Sequence, residues 1–324
     1  MKSSLKETLQ LSFLKHSILN KHKWESQLIP IFFVLALFLS CKRVNDDFFV
    51  QDSNINSYQF SSYTGDQEFK LDQEYQINSS EITSFELVSQ SLEGTIEKIQ
   101  AAYIGNIGQI NSDTVLLICE EGMHHMDYYF PRVEALYHDL SNRKFGILII
   151  DYKGSGLSTG TFSIQEMTND LQAAIKWLQD RNLESDRFAI YAHGLGAAPC
   201  YRVINNNSLL DSLLHPSKII LENPVASSET LISNSAQFNL PPSYLTTANF
   251  DNVALAEQTT QDLLLLISEN NNQFKPEQNG EIIFDNHGSQ LKQKVIAENA
   301  DHKELIPVLK PFHFQELVLY FIRN

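Results

Sequence analysis

The feature that most constrains this chain is a series of short, largely apolar runs, each followed by a loop and a stretch of helical periodicity. Val115 to Cys119, Phe145 to Ile150, Phe188 to Tyr191, Lys218 to Leu221, Leu263 to Ile267 and Lys294 to Ala297 all have strand length. A strand covered on one face alternates apolar with polar residues, so a continuous run implies burial on both faces. Between the runs, one helical stripe passes through Val133, Leu136 and Leu140, and another through Ile164, Met167, Leu171, Ile175 and Leu178. The second opens on a capping box, Ser163-Ile164-Gln165-Glu166. Buried strands alternating with amphipathic helices predict an α/β fold: a mostly parallel sheet with helices on both faces. Two earlier segments, Ser84 to Leu92 and Thr95 to Tyr103, have period two and read as a leading hairpin. Residues 225 to 260, centred on Pro241-Pro242, break the alternation and read as a small cap over the sheet's edge.

The N-terminus carries a different signal. Lys15, Lys21 and Lys23 precede an apolar run from Ile31 to Leu39, too short to span a bilayer, and then Ser40-Cys41. A basic region, a short apolar region, then a small residue and Cys resembles the lipobox of bacterial lipoproteins. Phe38 stands three before the cysteine where Leu is usual in that family. The resemblance implies a signal peptide over 1–40, cleaved before an acylated Cys41, and a lipid-anchored protein of the cell envelope. Residues 41–75, rich in Asp, Asn, Ser and Gln, read as a flexible tether, and 76–324 as the folded domain. The net charge is −15, and the acidic excess grows once residues 1–40, with five Lys and two Glu, are set aside. A phosphate backbone would be repelled, so nucleic acid is no partner for it. The expected partners are the membrane, through the lipid on Cys41, and a small molecule or envelope protein. Cys119 and Cys200 remain as a disulfide or as two buried thiols; their places at a strand end and inside a helix favour thiols.

In a parallel sheet ligands bind beyond the carboxyl ends of the strands. After the second run comes Asp151-Tyr152-Lys153-Gly154-Ser155-Gly156-Leu157-Ser158-Thr159-Gly160. This loop, with the stretch from Asp127 to Val133 before it and Leu221-Glu222-Asn223-Pro224 after it, resembles single-domain serine hydrolases of the α/β-hydrolase superfamily over about residues 80 to 324. That family places its reactive serine on a tight turn between strand and helix. Here the third run continues into Ala192-His193-Gly194-Leu195-Gly196-Ala197-Ala198, so the serine position is Gly194, which has no nucleophile. Gly156-Leu157-Ser158-Thr159-Gly160 also fits the motif's spelling, but Ser158 lies past the strand end and the next helix starts only at Ser163.

The remaining catalytic parts are altered too. The resemblance puts the triad acid after the fifth run, at Asn271 counting from Ser268 or at Asn272 counting back from Pro276; both are neutral amides. His302, after the sixth run, matches the family's histidine, and Glu222 is a candidate substitute acid. Where related enzymes carry His-Gly to form the oxyanion hole, this chain has Glu120, Glu121 and Gly122, and two carboxylates there oppose a developing negative charge. The expectation is a non-catalytic hydrolase-like binding module whose cleft includes Glu120, Glu121, Gly122, His193 and Leu195. Its scaffold is expected to be intact, so that Gly194→Ser would set a hydroxyl near His302. Two other readings stay open. One is an active serine hydrolase using Ser158 or another serine. The other is a metal site at the strand ends, where Glu120, Glu121, His124, His125, His193 and His302 should converge. Because no short His-x-His or His-x-x-x-His spacing fixes a geometry, no metal and no cofactor is assigned.

Overall fold

The computed structural model describes residues 55–140, 144–206, 214–235 and 249–324. The expected signal peptide, Cys41, the first part of the tether and Pro241-Pro242 lie outside these residues. One sheet runs through the domain, ordered β1-β2-β4-β3-β5-β6-β7-β8. Its strands are β1 (Ile82–Gln90), β2 (Ile96–Ile104), β3 (Thr114–Cys119), β4 (Phe145–Ile150), β5 (Phe188–His193), β6 (Lys218–Glu222), β7 (Asp262–Ser268) and β8 (Lys292–Ala297). The leading hairpin pairs antiparallel, β2 is antiparallel to β4, and every pairing from β4 through β8 is parallel. This confirms the α/β expectation.

The helices are α1 (Met126–Tyr137), α2 (Ile164–Gln179), α3 (Ala197–Ile204), α4 (Ser228–Ser235), α5 (Asn252–Ala256), α6 (Gly280–Asn286), α7 (Leu305–Leu309) and α8 (Pro311–Arg323). The continuous apolar runs follow from the double cover. Leu117, Ile190, Leu221 and Leu265 enter one core with α2 and α3, while Leu116, Ile118, Ile220 and Leu264 enter the other with α1 and α8. Successive residues of one strand thus feed opposite cores, as the pleat requires. Ser163 caps α2 as expected, accepting from Glu166 N at 3.0 Å, but the Glu166 carboxylate turns to Leu92 N and the buried Lys153.

Three expectations are modified. β8 is the outer strand, and its Lys and Gln residues reach the surface instead of being buried; charged residues are common on edges, where they discourage further pairing. The irregular segment contains α4 and α5, joined by a bridge between Ser227 and Asp251. The reading of a tether out to residue 75 does not describe residues 55–75, which pack on α1 and the loop after β4. Gln59 N and Phe60 N donate to the Asp127 carboxylate at 2.8 and 2.7 Å, Tyr58 Oη donates to Asp151 at 2.6 Å, and Phe69 enters the core. Cys119 and Cys200 are free and buried, and burial raises both thiol pKa values. No helix among the described residues is long and apolar enough to cross a membrane.

Candidate functional site

β5 ends at His193, and the chain turns at once through Gly194 and Gly196 into α3. Gly194 has φ +52°, a backbone conformation that costs an L-residue strain and that sharp strand-to-helix turns use. Gly196 is held against β3, where any Cβ would strike the Cys119 carbonyl. The turn is therefore as tight as the small residues suggest. The space above Gly194, however, is already filled. A Cβ there would overlap the Glu121 carboxyl group, with even Glu121 Cγ at 2.8 Å. The expectation that Gly194→Ser would simply present a hydroxyl to His302 is thus overturned: the side chain of Glu121 stands in its place.

Glu121 reaches there from the loop after β3 and accepts a hydrogen bond from His302 Nε2 at 3.1 Å. The other ring nitrogen, Nδ1, faces Asn271 Nδ2 at 3.1 Å. Which end of the amide faces the ring is settled by the turn after β7. Asn271 Oδ1 accepts from Gln273 N at 3.0 Å and Phe274 N at 2.9 Å, so the NH2 end is the one left for the histidine. Asn271 therefore donates to Nδ1, and the ring proton sits on Nε2, pointing at Glu121. In a serine hydrolase the polarity is opposite: an acid holds the proton on Nδ1 and Nε2 accepts from the serine. Here Nε2 carries a proton in both the neutral and the charged ring, so it accepts none. Of the two candidates for the acid position, Asn271 is buried beside His302 and Asn272 is exposed.

Around this core lies a buried polar cluster. The Arg132 guanidinium on α1 binds Glu222 at the end of β6, Glu68 at 2.6 Å and Glu120 at 3.2 Å, and Tyr191 also donates to Glu222. His193 Nδ1 meets Glu120 Oε2 at 3.1 Å, and the His193 and His302 rings stack at 5.0 Å. Burial pushes the Glu120 pKa up to about 8, partly offset by Arg132 and reinforced by Glu222 and Glu121. Burial also acts to raise Glu121, but the adjacent imidazoles outweigh it and hold that carboxyl at about 2. Burial and Arg132 lower the His193 pKa. Burial opposes a charge on His302, and the Glu121 carboxylate more than offsets it.

Glu120, Glu121, His193, Leu195, Asn271 and His302 are all buried around the Gly194 turn. Gly122 borders them with φ +77°, where any Cβ would strike the Phe162 ring. His124 and His125 do not join them: His124 stacks on Tyr128 at 3.7 Å, and His125 precedes α1, edge-on to Tyr63. Glu222 serves Arg132 and Tyr191 instead of His302. Ser158 Oγ donates to Asp151 O and accepts from Gln100 N, each at 2.8 Å, which ties the glycine-rich loop to β2. Sequence reasoning missed Glu68, because it lies in a stretch without period. The available clue was aromatic content: Tyr58, Phe60, Tyr63, Phe69 and Tyr75 are more apolar surface than a solvated tether carries.

A sheet of this order, with a left-handed turn between its third parallel strand and the following helix and a histidine after its last strand, is the α/β-hydrolase fold. Solved structures agree. The chain is similar to an esterase from Pyrococcus furiosus (TM-score 0.58, 17% identity, covering 75% of this chain and 90% of that one). It is likewise similar to an acetyl xylan esterase from Paenibacillus sp. R4 (TM-score 0.55, 14% identity, 76% and 85% covered). A bromoperoxidase from Bacillus anthracis has a TM-score of 0.53 at 12% identity, with 74% and 100% covered. At these identities the likeness is one of fold. No family model matches the sequence, and no curated protein sequence matches it.

Proposed function

We propose that this protein is a hydrolase-fold module without ester-cleaving chemistry, held at the cell envelope by a lipid on Cys41 and acting by binding a ligand or partner. The observation that carries this reading is Glu121: its carboxyl group fills the nucleophile's space over Gly194 and accepts a hydrogen bond from His302 Nε2. Nucleophile, base and oxyanion loop are thereby lost together. Loss of a single oxyanion donor alone typically costs about 10²–10³ in rate.

The test is to rebuild the site. Wild type should neither react with a fluorophosphonate probe nor turn over p-nitrophenyl acetate above buffer. Gly194→Ser alone should stay silent, because Glu121 blocks the hydroxyl. Gly194→Ser with Glu121→Gly and Asn271→Asp should gain both signals, more than additively, since triad members act as a unit. The esterases among the structural neighbours favour a second reading, an active serine hydrolase. Wild-type turnover abolished by Ser158→Ala would establish it. The anchor is tested separately: labelled fatty acid should enter the protein and be lost in Cys41→Ser.

A further inference from the structure

Glu121, His193 and His302 come from the ends of β3, β5 and β8, and one donor atom of each lies within 4.8 Å of the others. All three side chains are at least 95% buried. Of the His193 nitrogens, Nδ1 is engaged by Glu120, while Nε2 has no hydrogen-bond partner. When Glu120 is ionised it holds the ring proton on Nδ1 and leaves Nε2 its lone pair, as in metal-ligating histidines. Glu68 Oε2, in the same buried cluster, is also without a hydrogen-bond partner.

We propose that Glu121, His193 and His302 bind one divalent transition-metal ion, with Glu120 fixing His193 from behind. Two imidazoles and a carboxylate suit zinc, cobalt or nickel and not calcium or magnesium, which take all-oxygen sets. His302 joins at a cost. Binding through Nε2 sends the ring proton to Nδ1, where it meets the Asn271 NH2 group. The Asn271 amide must then turn to accept that proton, releasing Gln273 N and Phe274 N. Ion binding is thus coupled to the turn after β7, and an aspartate at 271 removes the conflict because both of its oxygens accept.

The proposal goes beyond the absence of ester chemistry and is read by different signals, so either reading can fail alone. Chelator-treated full-length protein is dialysed against zinc and, in parallel, cobalt. Wild type should take up about one ion per chain, and cobalt should give the strong visible bands of a low-coordinate site. Zinc should speed amide exchange at Gln273 and Phe274. Asn271→Asp should tighten zinc binding by at least about ten-fold, the scale of outer-shell partners. His193→Gln should weaken it by more than that. Asn271→Asp is a gain of affinity, so a misfolded variant does not imitate it. No uptake by either wild type or Asn271→Asp overturns the proposal, as does uptake unchanged by His193→Gln and His302→Gln together.

Discussion

Two buried polar regions sit at the carboxyl edge of the same sheet and solve the same problem differently. In the loop after β4, the Lys153 ammonium donates to Asp170 and to Ser89 and lies 3.0 Å from Glu166; Asp151 accepts from Tyr58, and Ser158 bridges two backbone groups. Every charged side chain there is hydrogen-bonded. At the ends of β3, β5 and β6, Arg132 answers three glutamates, its Nε pairing with Glu120 Oε1 at 3.2 Å, yet Glu68 Oε2 and His193 Nε2 lack hydrogen-bond partners. A closed network is what a purely structural role produces, since each unsatisfied buried group costs about 1–3 kcal/mol. The loop after β4 leaves a hydroxyl open, Tyr152 Oη, whereas the second region leaves open a carboxyl oxygen and an imidazole nitrogen, groups that can engage a ligand or an ion.

The largest effect should come from removing each region's cation. Breaking a buried pair by deleting one partner costs about 3–5 kcal/mol, because the other charge stays behind. Arg132→Met strands Glu68, Glu120 and Glu222, whereas Lys153→Met strands Asp170 and a Glu166 that is partly solvated. Urea denaturation at neutral pH should therefore place Arg132→Met below Lys153→Met, both well below wild type. The reverse order would mean that the Arg132 cluster is already neutralised by other means.

A smaller effect separates two glycines. Gly156 and Gly194 have φ +55° and +52°, and a Cβ on either would overlap a buried carboxyl group, Asp151 or Glu121 respectively. Gly→Ala at each should cost about 1–3 kcal/mol from overpacking and backbone strain. The pairs should differ on removal of the acid. Glu121→Gly vacates the space over Gly194 and should rescue much of the Gly194→Ala penalty. Asp151→Ala should not rescue Gly156→Ala, because Asp151 also anchors Tyr58. Equal coupling in the two double-mutant cycles would erase the distinction between a filled site and a structural loop.

These contrasts show what the sequence could and could not reveal. Both-face burial writes itself into Leu116-Leu117-Ile118 and Leu263 to Leu266 as unbroken apolar runs, so the parallel sheet was legible. β8 was placed correctly, but its Lys and Gln residues reflect an edge that only strand order exposes. The acid position was narrowed to Asn271 or Asn272, and Gly194 and His302 were legible because the turn chemistry is local. That Glu121 occupies the nucleophile's space was not, since it depends on how a loop after β3 leans across β5. Nor was the amide orientation of Asn271, which is set by two backbone N–H groups three-dimensionally opposite His302. Glu68 was hidden for a related reason: a segment without secondary structure carries no period, and its burial comes entirely from contacts distant in sequence.

The smallest effect is one of pH, and it belongs to the closed region. Burial raises the Asp151 pKa to about 8 from an ordinary 3.8, despite the Tyr58 hydroxyl and a backbone N–H that lower it. The folded protein therefore keeps a proton on Asp151 that the unfolded chain releases above about pH 4. Its contribution to stability is full below that value and is lost as pH rises towards 8, with a slope of up to ~1.4 kcal/mol per pH unit. Asp151→Asn holds the neutral form permanently and retains an oxygen to accept from Tyr58. Unfolding midpoints of the two proteins should coincide near pH 4 and diverge steadily to pH 8, with the variant the more stable. Parallel curves across that range would show that Asp151 is ionised in the folded protein. The loop after β4 would then carry an uncompensated charge of its own, and the contrast with the Arg132 cluster would collapse.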